Sequence, residues 1–297
     1  MRVFVTGASG WIGTAVVGEL LAAGHEVTGL ARSDASAAKL AAKGAGVRRG
    51  DLDDLAGLRA GAEAADAVIH LANKHDFANP AVSNAAERAA VETIGDALSG
   101  SGRPLLLASG IAGIRQDRPA TEADASPFHG PDSPRGGAEN LALEYADRGV
   151  RPVSLRFSPT VHGTGDHGFI AVLSAIAREK GVSAYPGDGS NRWAAVHVTD
   201  AARMVVSGLE KAPAGARLHA VAEEGVPTKE IAEAIGRAFD VPVASVAPDD
   251  VAAHYGWIGG FFAMDLAATS AATRELLGWV PSGPTLIEDL EAGAYSG

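Results

Sequence analysis

Residues 1–13, MRVFVTGASGWIG, carry a short apolar strand straight into glycines at positions 7, 10 and 13, and an apolar-periodic helix follows through Leu21. Each glycine answers a separate steric demand. Gly7 permits the tight turn out of the strand, Gly10 lets a ligand approach the backbone, and Gly13 brings the helix close against the strand. The helix start then offers free N–H groups and partial positive charge to an anion. A strand, a loop holding Ser9, Trp11 and Ile12, and a helix, in that order, read as a cradle for the pyrophosphate of a dinucleotide.

Outward from this loop, β-like runs at Val3–Thr6, Glu26–Ala31, Val47–Asp51, Ala67–Leu71, Pro104–Ser109 and Pro152–Arg156 alternate with helical stretches near Ile12–Ala23, Asp34–Lys43, Asp53–Ala60, Pro80–Leu98 and Gly137–Arg148. Strands separated by helices long enough for a right-handed crossover predict an α/β fold, a doubly wound parallel Rossmann sheet. After Arg156 the alternation loosens.

Composition narrows the class. A chain of 297 residues builds a substantial core, and a net charge of −11 argues against a nucleic-acid surface, which needs clustered Lys and Arg. Without cysteine there is neither a disulfide framework nor a thiolate metal site, and no metal is expected. No apolar run reaches the ~18 residues of a membrane span, and residues 1–6 enter a strand with no signal segment ahead of it. The expectation is a cytoplasmic protein with a small-molecule partner.

Cofactor choice turns on the end of the second strand. An acidic residue there would hold the adenosine ribose hydroxyls and repel a 2′-phosphate, but the chain reads Leu30-Ala31-Arg32-Ser33. The guanidinium of Arg32 and the hydroxyl of Ser33 suit a phosphate, so NADP is favoured over NAD; an exposed Arg32 pairing with Asp34 is the plainer alternative.

The spacing Gly-x-x-Gly-x-x-Gly, with Thr6 before it and Trp11-Ile12 inside it, resembles the extended and atypical branch of the short-chain dehydrogenase/reductase superfamily. Later landmarks follow in family order: Gly50-Asp51-Leu52, Ile69-His70-Leu71-Ala72, Leu107-Ala108-Ser109, Leu155-Arg156-Phe157-Ser158-Pro159 with Val161-His162-Gly163, and Val196–Ala202. The resemblance implies a nucleotide-binding domain of residues 1–157 and 194–222 and a smaller, discontinuous C-terminal substrate cap of residues 158–193 and 223–297. It places Asp51 and Leu52 against adenine, with a loop-capping Asp51 as the alternative. Leu71, Ala72 and Asn73 fall beside the ribose and nicotinamide, Pro159 falls on the cofactor, and His70 reads as structural.

The chemistry departs from that pattern. The family's Tyr-x-x-x-Lys pair sets a phenol beside the substrate oxygen and a lysine on the nicotinamide ribose. Here the residues four positions before Lys39, Lys43, Lys74, Lys180, Lys211 and Lys229 are Ala35, Lys39, His70, Ile176, Ser207 and Gly225, so no such pair exists. Counted back from Leu155-Arg156, the pair falls on Pro131 and Arg135; Arg135 retains the ability to bind ribose hydroxyls, or is a solvated side chain opening the next helix. Ser109 occupies the place of the family's catalytic serine, and Glu87 that of its helix asparagine, either as a proton-relay acid or as a helix-surface glutamate paired with Arg88 or its neighbours.

With the phenol missing, a histidine is the natural proton carrier. His75 follows the fourth strand, and His162 and His167 follow the sixth, at the carboxyl edge where open α/β sheets bind ligands; the alternative for each is a loop histidine bonded to backbone. Arg192 and Trp193 fall on the substrate side, or form a surface arginine with a packing tryptophan. The expectation is an NADP-dependent oxidoreductase acting on a small carbonyl or alcohol, as a monomer or homodimer. A sugar-nucleotide epimerase or dehydratase and a non-catalytic NADP-sensing protein are the alternatives.

Overall fold

A computed structural model describes residues 1–76 and 79–296. The nucleotide half alternates as the sequence pattern predicts: β1 (Arg2–Thr6), α1 (Trp11–Ala22), β2 (Glu26–Ala31), α2 (Asp34–Ala42), β3 (Gly46–Arg49), α3 (Leu55–Ala64), β4 (Ala67–His70), α4 (Pro80–Leu98), β5 (Pro104–Gly110), α5 (Ala138–Glu144) and β6 (Arg151–Phe157). The remainder carries β7 (Thr160–His162), α6 (Phe169–Lys180), β8 (Ser183–Pro186), β9 (Arg192–His197), α7 (Val198–Lys211), β10 (Ala216–Ala220), β11 (Glu223–Pro227), α8 (Thr228–Phe239) and β12 (Val243–Val246). Four short helices complete it: α9 (Val251–Tyr255), α10 (Gly259–Phe262), α11 (Ala271–Leu277) and α12 (Leu286–Glu291).

The central sheet has seven parallel strands in the order β10-β6-β5-β4-β1-β2-β3. The order reverses between β1 and β4, which opens a ligand crevice at their carboxyl ends. Every residue of β4 is buried, because helices cover both faces of the sheet. On one face Val16, Val17 and Leu20 of α1 join Ala201, Ala202 and Val205 of α7 in a single core; on the other, Leu58, Ala90, Ile94 and Leu98 pack over Phe4, Val68 and Leu105.

The return to this core differs in detail from the expected span of 194–222. β9 pairs with β7 and β11 in a separate three-stranded sheet, while α7 and β10 join the nucleotide half. Leu277 and Trp279, assigned by sequence to the cap, belong to the core under the central sheet, where the Trp279 indole donates to Asp200 O at 3.1 Å. The reason is steric: β10 is an edge strand, and α11 covers its exposed flank. The rest of the C-terminal part has its own core around Trp193, Ile231, Ile235 and Phe262. Among the described residues, no helix is long and apolar enough to cross a membrane.

His70, at the end of β4, is fully buried. The Thr6 hydroxyl accepts from Ala72 N at 3.3 Å and lies 2.7 Å from His70 Nδ1, which ties the ring into the core as a structural element. Burial pushes its pKa down to about 4. The unfolded chain therefore binds a proton near pH 6.5 that the native state refuses, so this group removes stability as pH falls from about 6.5 to about 4. Chemical denaturation of His70→Gln across that window is expected to show an acid-induced loss smaller than wild type by about 3 kcal/mol.

Candidate active site

The glycine loop is shaped by close backbone approach. Gly7 has φ +67°, and a Cβ there would lie 2.7 Å from Leu71 C and Ala72 N, so both the turn and the neighbouring end of β4 require glycine. A Cβ on Gly13 would sit 2.0 Å from Gly7 O. Gly10 differs: its added Cβ would meet only Gly7 O, at 3.2 Å, with open space beyond. The start of α1 has no acidic residue and no side-chain cap, so its first N–H groups remain available to an anion. Trp11 Nε1 donates to Val161 O at 2.7 Å and pins the loop to β7. This cradle fits a dinucleotide pyrophosphate, with Ser9, Trp11 and Ile12 at its rim.

Arg32 is exposed at the end of β2 and makes no ion pair or hydrogen bond among the described residues. The pairing with Asp34 does not form, because Asp34 bonds Arg49 at 2.8 Å. Ser33 caps α2, accepting from Ser36 N at 3.2 Å. Asp51 Oδ1 accepts from Asp53 N at 2.9 Å and Asp54 N at 3.2 Å, the loop-capping arrangement, and Leu52 is buried beside it.

Two carboxylates organise the floor of the crevice. Glu87, on α4 and almost wholly buried, accepts from Asn73 Nδ2, from Arg135 Nη2, and from Arg135 Nε at 3.2 Å. Asn73 Oδ1 in turn accepts from His75 N at 2.7 Å, in a turn that holds His75 at φ +50°. Partial burial lowers the His75 pKa, and the nearby Arg135 charge lowers it further; Glu87 and His167 also lie close enough to act on it. His167 is exposed and edge-on to Trp11, with ring centroids 6.2 Å apart. The second carboxylate, Glu139 in the first turn of α5, accepts from Ser109 Oγ at 2.7 Å. Behind it the fully buried Arg156 donates to Glu139 through Nε at 3.0 Å and Nη2 at 2.6 Å.

Of the expected pair, only Arg135 bonds a residue of the crevice. Pro131 is exposed in a turn, whereas the two positions four apart that face the ends of β4 and β5 are Arg135 and Glu139. The cause is local. Arg135, Gly136 and Gly137 are all left-handed, at φ +56°, +60° and +65°, so regular helix starts only at Ala138. A Cβ on Gly136 would lie 2.7 Å from Asn84 O of α4, and that close approach brings Arg135 to Glu87.

Three more expectations change or sharpen. His162 points away from the crevice: it is fully buried, with Nδ1 2.6 Å from Asp289 Oδ2 and its ring 5.5 Å from His197, because alternation along β7 turns it inward toward α12. Trp193 is also fully buried, packed on Phe169 and Phe262 with ring centroids 5.7 and 5.2 Å away, so it builds the cap core instead of touching substrate. Arg192 is held by Asp265, which accepts from Arg192 N at 2.7 Å, Nε at 3.1 Å and Nη2 at 2.7 Å. Leu71 and Ala72 line the end of β4, and Pro159 joins β6 to β7, each partly exposed. In the sequence Glu139 serves only as the landmark from which the pair is counted back, and its bond to Ser109 carries no sequence signal.

The chain belongs to the NAD dependent epimerase/dehydratase family, whose model matches residues 3–221. It is 45% identical over 295 residues to an uncharacterized protein of Schizosaccharomyces pombe, covering 99% of this chain and 100% of that one. A 4-hydroxy-2-methyl-3-oxo-4-farnesyl-3,4-dihydroquinoline-1-oxide ketoreductase of Stigmatella aurantiaca is 28% identical over 223 residues, covering 72% of this chain and 66% of the relative. Among solved structures, the UDP-glucose 4-epimerase of Thermus thermophilus in complex with NAD shares the fold with a TM-score of 0.75 at 22% identity, covering 99% of this chain and 98% of that one. A dTDP-glucose 4,6-dehydratase of Streptomyces venezuelae with NAD bound gives a TM-score of 0.78 at 22% identity, with 99% and 96% covered.

The glycine geometry separates folding from binding. Gly13→Ala is expected to cost about 3 kcal/mol or more in denaturant unfolding, since its Cβ has no room. Gly10→Val is expected to unfold close to wild type and yet lose nicotinamide-cofactor binding in fluorescence titration.

Proposed function

We propose that the chain is an NADP(H)-dependent oxidoreductase acting on a small carbonyl or alcohol substrate. The observation that carries this reading is the pair of residues facing the crevice at positions 135 and 139. Epimerisation and dehydration need a group that removes and returns a proton on the same substrate within each turnover. A guanidinium does not deprotonate in proteins, and the Glu139 carboxylate is engaged by Arg156 and Ser109, so neither member of the pair can cycle a proton; net hydride transfer, which asks His75 for a single one-way proton transfer per turnover, suits this crevice better. The ketoreductase relative supports the same direction.

When bound, NADPH would supply the hydride. Gly7, Gly10 and Gly13 would hold its pyrophosphate, and Arg32 with Ser33 its 2′-phosphate. Arg135 bonds Glu87 through Nε and Nη2, while Nη1 makes no hydrogen bond among the described residues and is free to polarise a substrate oxygen. Ser109 stands beside the same oxygen, and His75 carries the proton. Because the His75 pKa lies below the ordinary imidazole value, alcohol oxidation should fall off on the acid side below that range, and His75→Gln should remove this limb.

The cofactor assignment is tested by titrating Arg32→Ala with both reduced cofactors. NADPH binding should weaken by about 1.5–3 kcal/mol, the worth of a charged hydrogen bond, with NADH nearly unchanged. Equal weakening of the two would exclude the phosphate role.

A further inference from the structure

Ser109 is the end of a buried chain of hydrogen bonds whose direction can be read residue by residue. Its hydroxyl donates to Glu139 Oε2 at 2.7 Å, since an ionised carboxylate has no proton to give. Arg156 donates to Glu139 through Nε and Nη2, and its Nη1 lies 3.3 Å from His219 Nε2. A guanidinium has no acceptor, so His219 Nε2 must accept; Nδ1 then carries the ring proton and donates to Thr269 O at 2.8 Å. Arg217 Nε stands a further 3.6 Å from Glu139 Oε1. Arg156 and His219 have no exposed surface, so water cannot substitute for the links between Glu139, Arg156 and His219.

A serine hydroxyl has one proton and two lone pairs. With that proton fixed on Glu139, only lone pairs are left for the crevice. We propose that Glu139 is the positioning residue that makes Ser109 a hydrogen-bond acceptor toward substrate, so that the site selects the alcohol form, whose O–H donates to Ser109 Oγ, over the carbonyl form. This rests on reading the crevice as a carbonyl/alcohol site. It also divides the labour between two residues: Arg135 meets the carbonyl oxygen as a donor, and Ser109 meets the hydroxyl as an acceptor. The serine thus determines specificity and is not the proton source for the product.

The orientation can be read without turnover. In cofactor-free protein carrying isotope-labelled serine, the Ser109 hydroxyl proton should give a downfield, exchange-protected resonance that is absent in Ser109→Ala and in Glu139→Gln. Removing Glu139 alone leaves Arg156 buried without a counter-charge, so the Glu139→Gln/Arg156→Gln double variant, checked for cooperative unfolding, is measured beside it. A folded wild type with no such resonance overturns the proposal.

The second arm uses 1-phenylethanol and acetophenone as a matched pair, with dissociation constants measured in the NADPH–alcohol and NADP⁺–ketone complexes. Ser109→Ala should weaken the alcohol about tenfold and the ketone less than twofold, and the double variant should level the two. Equal weakening of both forms by Ser109→Ala overturns the proposal as well. If the resonance is present but no carbonyl or alcohol is ever turned over, the functional reading fails while the orientation of Ser109 stands.

Discussion

The buried Glu139–Arg156 pair ties together the elements behind the crevice. Arg156 comes from β6, Glu139 from α5, Ser109 from β5 and His219 from β10, so four elements of the nucleotide half meet at one ion pair. Burying two charges is costly, and the arrangement holds only because each is hydrogen-bonded on every side. Losing one partner of such a pair typically costs about 3–5 kcal/mol, since the other is left charged in a low-dielectric interior. The network also reaches the C-terminal segment. Thr269 accepts from His219, and Thr273, held by Glu122 at 2.7 Å, accepts from His219 N at 2.8 Å. The edge strand β10 is thereby fastened to α11 and to Thr269 just before it.

The crevice has two chemically distinct halves. Around the glycine loop nearly everything is backbone: close approaches, free N–H groups and one left-handed turn, with little chemistry of its own. Around Glu87 and Glu139 nearly everything is charge, arranged as one half-exposed and one buried arginine, each bonded to a carboxylate. In the second half a guanidinium and a carboxylate cannot exchange protons as a phenol and an ammonium would.

The fold was legible because its signals are local. Glycine at 7, 10 and 13, apolar runs such as Leu105–Ala108, and the helices between them each have one reading, and the doubly wound sheet is their sum. Glu87 was legible too, from its place on the helix after β4. Arg135 was legible as well, by counting back from Leu155-Arg156, whereas Pro131 lies beyond the three left-handed residues Arg135–Gly137, where that regular count breaks. His162 and Trp193 misled for another reason: they lie on short strands of the cap, where a shift of one residue exchanges crevice for core. Asp51 is a case in which the plainer alternative describes what the side chain does.

The central claim is net hydride transfer by a site without a tyrosine. The most direct measurement incubates the protein with one equivalent of NADPH deuterated at C4 and a panel of small carbonyl compounds, then follows both the label and the cofactor. Deuterium is expected on the carbinol carbon of the product, with one NADP⁺ formed per alcohol. Net hydride transfer would be contradicted by an isomerised or dehydrated substrate with the cofactor returned to its starting state.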